Sequence, residues 1–312
     1  MNIFVSGSNG FIGQKFCPRL ASQGFSVTAF SRSEYAWQSD IVPAVHSSLK
    51  SFCRVKSLSR YDCVVHLAGR AHVLNEYSSD PLASYRASNV DDTLLLAKHA
   101  AFSGVKRFVY LSSIKVNGQS TSRDSPFTEL DIPHPVDDYA LSKLEAENAL
   151  FALSAQTGME IVIIRPPLIY GPKVKGNLNT VLKLLSLRVP LPFGAVTDNL
   201  RSFIFLENLI DLIIICIQHP SAANRVFLAS DQDDVSTFDF LNLVGLSCNY
   251  SAFLFPVPRR FLKYMCILFG KYYLFDRLCN SLVVDSSLAT TLLGWNPRFS
   301  LRLGLQKSLS DL

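Results

Sequence analysis

Two periodicities alternate along the chain. Short runs rich in β-branched and aromatic residues are followed by stretches in which apolar positions recur every three or four residues, the signatures of strand and amphipathic helix. Asn2 to Ser6 is the first apolar run, and Phe11, Ile12, Phe16 and Leu20 form the helical pattern behind it, ending near Gly24. Phe25 to Phe30 reads as a second strand, Val42 to Leu49 as a third, and Tyr61 to Gly69 as a fourth that ends in small residues. Asp80 and Pro81 suit the cap and first turn of a helix that continues to about Ala101. Val105 to Leu111 is the fifth strand and delivers Ser112 and Ser113 at its end. A polar, proline-bearing loop from Asn117 to Asp137 leads into a helix opened by Asp137 and Asp138, and Glu160 to Arg165 is the sixth strand, stopped by Pro166 and Pro167. Strand and helix in strict alternation predict a right-handed, doubly wound parallel sheet.

Beyond Tyr170 the rhythm changes. An amphipathic helix is expected in 173–187, a loop at Pro190 to Gly194, a short strand at Arg201 to Phe205, a helix through Ile217 and a strand at Arg225 to Ala229. Short helices and loops then continue to Leu293–Pro297, and no internal repeat occurs. The fold class is therefore α/β, a doubly wound parallel sheet with a smaller mixed C-terminal part.

Composition narrows the partners. The 312 residues are 48% hydrophobic, enough for a large core, and the net charge is only +5 with no basic block, which argues against nucleic acid. Seven cysteines, an odd number without a CxxC pair, point to a reducing cytoplasmic compartment with neither a disulfide frame nor a metal site. The first residues lack the features of a signal peptide. The apolar run from Leu209 to Ile217 is interrupted by Asp211 and is too short to span a bilayer, so no integral membrane segment is expected. The stretch from Phe253 to Cys279 mixes Phe, Leu and Tyr with Arg259, Arg260, Lys263, Lys271 and Arg277. It reads as packed helices of the smaller part, with membrane-surface contact as the alternative.

The chemistry begins in the first turn. Gly7, Gly10 and Gly13 lie between a strand and a helix, the context of a phosphate-binding loop, where glycine permits the turn and free helix N–H groups meet a pyrophosphate. Pro18 falls inside that helix and is expected to kink it. At the end of the second strand stand Ser31 and Arg32, with no carboxylate before Glu34, a pattern that leans toward NADP, with NAD as the alternative. His66 lies within the fourth strand and reads as a core histidine. Asn89, polar in an apolar pattern, either bonds a neighbouring strand or faces solvent.

Tyr139 and Lys143 are four residues apart and share one helix face. A phenol ionises at about 10, so work near neutrality needs a drop of roughly 3 units, about 4 kcal/mol. Lys143 favours the phenolate, but a lone lysine supplies too little, and a second cation such as an oxidised nicotinamide would help. The plain alternative is an amphipathic helix with a core tyrosine and a solvated lysine.

Taken together, Gly7, Gly10, Gly13, Ser113, Tyr139 and Lys143 resemble the extended short-chain dehydrogenase/reductases, and within them the NAD(P)-dependent nucleotide-sugar epimerase/dehydratase family. Further matching pieces are Leu67 to Gly69, Asn89, Arg165 to Pro172, Arg201 to Ile204, Val284 to Ser287 and Leu293 to Pro297. The resemblance implies a Rossmann-type domain in 1–170 and about 203–230, and a nucleotide-sugar domain in 171–202 and 231–312. It implies that Tyr139 exchanges a proton with a sugar oxygen, that Ser113 bonds the same oxygen, and that Lys143 lowers the phenol's pKa and holds the nicotinamide ribose. The cofactor would lie against Gly7, Gly10, Phe11, Ile12 and Gly13, beside Ser31 and Arg32. It would also meet Leu67, Ala68, Gly69, Tyr139, Lys143 and Pro166. Arg201 would bind the nucleotide diphosphate, with Asn177 and Phe193 also facing the substrate.

Ile114 and Lys115 stand where 4,6-dehydratases of the family carry Asp and Glu, which disfavours dehydration. The runs Ser112 to Gly118 and Val64 to His72 look most like a subgroup acting on UDP-N-acetyl-6-deoxyhexosamines in surface-polysaccharide synthesis. The first expectation is therefore NADPH-dependent reduction of a UDP-4-keto-6-deoxyhexosamine. The second is a UDP-glucose or UDP-N-acetylglucosamine 4-epimerase with NAD kept bound. A catalytically silent NADP-binding sensor or scaffold is the reading from another class. A cytoplasmic homodimer is the assembly that the family suggests.

Overall fold

The computed structural model describes residues 1–37, 40–46, 48–71, 80–172, 184, 187, 189–248 and 251–309. The first half runs β1 (Asn2–Ser6), α1 (Gly13–Ser22), β2 (Ser26–Ser31), β3 (Ile41–Val45), α2 (Leu49–Val55), β4 (Cys63–His66), α3 (Pro81–Arg86), α4 (Asp92–Phe102), β5 (Arg107–Leu111), α5 (Asp138–Thr157) and β6 (Glu160–Arg165). Then come β7 (Leu168–Tyr170), β8 (Phe203–Phe205), α6 (Leu206–Gln218), β9 (Arg225–Leu228), α7 (Thr237–Ser247), α8 (Arg259–Leu268), α9 (Tyr272–Cys279), α10 (Ser287–Leu293) and α11 (Leu301–Leu309). Seven strands form one sheet in the order β3-β2-β1-β4-β5-β6-β9, every neighbouring pair parallel. The doubly wound sheet expected from the strand–helix rhythm is present.

Alternation along β1 shows how both faces become covered. Ile3 and Val5 point to the side of Phe16 and Leu20 on α1 and of Leu209 and Ile213 on α6. Phe4 points to the opposite side, among Phe52 of α2, Leu96 of α4 and Leu150 of α5. Because both faces are buried, the inner strands are apolar throughout rather than alternating. β3 is the edge, and it is shorter than the run to Leu49 that the sequence suggests: Val42 and Val45 are exposed, and the next helix begins at Leu49 behind a Ser48 capping box.

Other departures have local causes. Arg201 lies outside β8 in single bridges to Val235 and Leu282. β7, unanticipated, pairs in parallel with β8 to make a separate two-stranded sheet. α1 continues from Gly13 to Ser22 with Pro18 inside it. The helix from Pro81 continues to Phe102 but widens to a π turn over Ala87–Asp91, with Asn89 buried within it. Such a turn inserts one residue and turns a side chain inward, often at a functional site.

Two buried arginines tie elements together. Arg107, at the start of β5, donates through Nη1 to the carbonyls of Cys216, Ile217 and His219 (2.8, 3.0 and 2.9 Å), satisfying the C-terminus of α6 with a cation. Arg165, at the end of β6, donates through Nε to Glu147 of α5 (3.0 Å) and through Nη1 to Asn117 (2.9 Å). Glu147 also accepts from the Ser112 hydroxyl. This buried pair clamps α5 across the ends of β5 and β6. Breaking one side strands a charge, so Glu147→Gln is expected to destabilise the protein by about 3–5 kcal/mol. The urea midpoint should fall, and the double variant with Arg165→Met should recover part of the loss.

Candidate active site

All the strands of the main sheet are parallel, so their C-terminal ends share one edge, and the loops that leave that edge converge. After β1 the chain turns at Gly7, whose φ of +74° is in the left-handed region. A Cβ there would lie 2.5 Å from the Ala68 amide nitrogen after β4, so residues 67–69 and the glycine turn pack backbone to backbone. At Gly13 a Cβ would lie 2.4 Å from the carbonyl oxygens of Gly7 and Ser8. Gly10 N–H closes the turn onto Gly7 O at 3.0 Å. Among the described residues no acceptor takes the N–H groups of Phe11, Ile12 or Gly13, and the first turn of α1 carries no acidic side chain. Open amides at a helix N-terminus behind a turn with glycine at 7, 10 and 13 fit a dinucleotide pyrophosphate.

At the end of β2, Ser31 is buried and its hydroxyl donates to Ser33 O (2.6 Å). Arg32 is exposed, and its charge lowers the pKa of Asp92 at the start of α4 against the burial that raises it. Pro166 is buried after β6, its carbonyl accepting from Ile114 N–H (2.9 Å), which fixes the short turn behind Ser113.

Asp137 caps α5 by accepting from Ala140 N–H (2.8 Å), and the helix then presents Tyr139, Lys143 and Glu147 one turn apart. The Ser113 hydroxyl lies near enough to the Tyr139 phenol to lower its pKa, so the end of β5 and the first turn of α5 meet. Lys115, in the turn after Ser113, is ion-paired with Asp137, and its Nζ lies 5.7 Å from the centroid of the Tyr139 ring. Lys143 is buried; its Nζ donates to Leu111 O (2.9 Å) and sits 4.5 Å from the Tyr110 ring centroid. A Cβ on Gly69 would come 3.1 Å from that same Nζ. The lysine is thus the point where the ends of β4, β5 and α5 touch.

Asn89 resolves its two alternatives in a third way. It neither bonds a strand nor faces solvent: its Oδ1 accepts from Arg70 N–H (2.8 Å) and its Nδ2 donates to Ser142 Oγ (2.9 Å), tying the loop after β4 to α5. His66 is buried between Ser6 and Thr93, and desolvation pushes it down to about 3, as suits a neutral core histidine.

Burial pushes the Tyr139 phenol up to about 12, with Asp137 adding to the rise and the Ser113 hydroxyl opposing it. Lys143 directs its ammonium at Leu111 O and is itself pushed down to about 8 by burial, against the pull of Glu147. The extra cation asked for above would oppose the phenol's rise, and a bound oxidised nicotinamide would supply it.

Arg201 is held by a main-chain bridge to Val235 and donates through Nη1 to Asn280 O (3.0 Å); burial pushes it down to about 10, with Asp276 opposing. Phe193 is half-buried between two apolar clusters, beside Val196 and Phe275. Asn177 lies outside the described residues. The segment that holds Arg201 also supports the loop leading to Tyr139, through Thr121 N–H to Ser281 O (2.9 Å) and Phe127 N–H to Val283 O (2.8 Å). Sequence reasoning missed Glu147, Asn117 and the placement of Lys115; the only signal was the third member of the four-residue spacing that begins at Tyr139.

A model of the NAD dependent epimerase/dehydratase family matches residues 3–229. The chain belongs to this family. A UDP-glucose 4-epimerase from Vibrio cholerae is 40% identical to it over 98% of this chain and 94% of the relative. The solved UDP-N-acetylglucosamine 4-epimerase from Bacillus cereus superposes with a TM-score of 0.80 at 20% identity, covering 100% of this chain and 99% of that one. The UDP-glucuronic acid 4-epimerase from the same organism, solved with NAD, gives 0.78 at 19% identity over 99% and 98%. At those identities the two structures speak for the fold. The chain is a nucleotide-sugar epimerase/dehydratase family enzyme, as the motif set implies.

A spectrophotometric alkaline titration of the ligand-free protein, read as the difference from Tyr139→Phe, should show the phenol ionising at about 12. A cation beside the ring favours the phenolate, so saturation with oxidised dinucleotide should move that midpoint down. Ionisation below 10 without dinucleotide would show that Lys143 suffices.

Proposed function

We propose that the chain is a UDP-hexose 4-epimerase that oxidises C4 and reduces it again with its cofactor retained. The observation that carries this is the meeting of Ser113 and the Tyr139 phenol, with Lys143 buried one helical turn along, set at the sheet edge next to a glycine turn with open amides. The 40% identity to a UDP-glucose 4-epimerase along almost the whole chain supports epimerisation over the 4-keto reduction expected first. That reduction remains the second reading, favoured by Ile114 and Lys115 in place of the dehydratase acids.

A bound nicotinamide dinucleotide supplies the acceptor and donor of hydride. Gly7, Gly10 and Gly13 would hold its pyrophosphate, with Leu67, Ala68 and Gly69 leaving room beside them. Tyr139 takes the proton of the C4 hydroxyl and later returns it, and Ser113 holds the same oxygen, so each step uses one positioned acid/base. Lys143, charged below about 8, holds a positive potential behind the phenol. Arg201, with Phe193 and Asn177, would hold the nucleotide diphosphate and sugar; a guanidinium is the side chain suited to bidentate phosphate bonds. Residues 171–202 and 231–312 are taken as the part that holds the sugar nucleotide, and 1–170 with 203–230 as the part that holds the cofactor.

Arg32 was the motive for NADP. Its charge already bears on Asp92, which weakens the case for a 2′-phosphate, and the relative solved with NAD supports NAD. We therefore take NAD as the retained form. A reducing cytoplasm and a homodimer are the setting of this reading; the seven free thiols support the first.

Incubation of the purified protein with UDP-glucose or UDP-N-acetylglucosamine, without added cofactor, should yield the C4-inverted sugar nucleotide by NMR, and denaturation should release NAD. Tyr139→Phe should lower kcat by about 10²- to 10⁴-fold. Stoichiometric oxidation of added NADPH by a UDP-4-keto-hexosamine, without interconversion of UDP-hexoses, would establish the reductase instead.

A further inference from the structure

α8 has no buried residue. Its inner side, Leu262 and Cys266, is only half-buried against Phe193, Val196, Phe275 and Cys279. Its outer side, the turn after it and the start of α9 present Phe261, Tyr264, Ile267, Leu268, Phe269 and Tyr273, each more than half exposed. Isolated exposed apolar residues are ordinary, but a continuous set on one helix and the adjoining turn marks a contact surface. Arg260 and Lys263 stand among them on the same outer arc, and Lys271 follows in the turn; all three are exposed, and none is ion-paired among the described residues. No acidic residue occurs between Asp239 and Asp276.

We propose that this α8–α9 face docks the protein on an anionic lipid bilayer, with the apolar side chains at the acyl boundary and Arg260, Lys263 and Lys271 at the headgroups. The charge pattern selects this occupant. A second copy meeting the first through the same patch by two-fold symmetry would oppose cations to cations with no carboxylate to relieve them. A bilayer surface rich in anionic lipid satisfies both the apolar and the cationic groups, and long basic side chains can place their stems in the apolar layer and their heads in water. Among the described residues no helix is long and apolar enough to cross a membrane, so the contact is a surface one. The docked face is the outer side of the wall whose inner side carries Phe193, which places the proposed sugar-nucleotide region next to the lipid surface. The inference needs no turnover and stands apart from the epimerase reading.

The test is co-sedimentation of the full chain with vesicles of phosphatidylcholine alone or with about one-third phosphatidylglycerol, at low and high salt. Binding is expected to the anionic vesicles only, and it should be released as salt rises. Arg260→Gln with Lys263→Gln should lower the partition coefficient roughly 30-fold. Phe261→Ser with Leu268→Ser should lower it at least as strongly, with circular dichroism unchanged in both double variants. Wild-type protein that stays in the supernatant of the anionic vesicles overturns the proposal. So does equal binding to both vesicle types, or self-association that these substitutions disperse while vesicle binding is absent.

Discussion

A charged amine out of water is the constraint around which the site is built. Lys143 sits with its ammonium buried, and the surroundings answer it with the Leu111 carbonyl, the Tyr110 ring and, one helical turn away, the Glu147 carboxylate. Each answer is also a join. The carbonyl belongs to the end of β5, the carboxylate belongs to the clamp with Arg165 on β6, and the approach of Gly69 brings in the loop after β4. Three strand ends and one helix are therefore held in register by what keeps a single cation charged in a poor solvent.

The same burial acts on the phenol. Desolvation raises Tyr139 and lowers Lys143, which stays charged below about 8, so the spacing between them does not by itself set the phenol's ionisation.

Much of this was legible in the sequence, for reasons of range. The glycine turn after β1, the cap at Asp137 and the four-residue spacing of Tyr139 and Lys143 are local patterns, and local patterns survive without a structure. The doubly wound parallel sheet followed from the alternation of strand and helix and the handedness of their connections. The clamp between Glu147 and Arg165 spans 18 residues and the cap of α6 by Arg107 spans 109, pairings that no local pattern announces until the sheet brings the partners together. The π turn that aims Asn89 at Ser142 has no simple periodic signature, and β7 was hidden because its partner lies beyond the point where the strand–helix rhythm stops. Asn177 lies outside the described residues, so the sequence is the ground for its assignment.

The ionisation of Lys143 tests the account most directly. In the ligand-free protein labelled with 15N-lysine, the Lys143 resonance, assigned by its loss in Lys143→Arg, should titrate with a midpoint of about 8. A midpoint near the ordinary lysine value of 10.5 would show a solvated amine, and the convergence of β4, β5 and α5 on a buried cation would be contradicted.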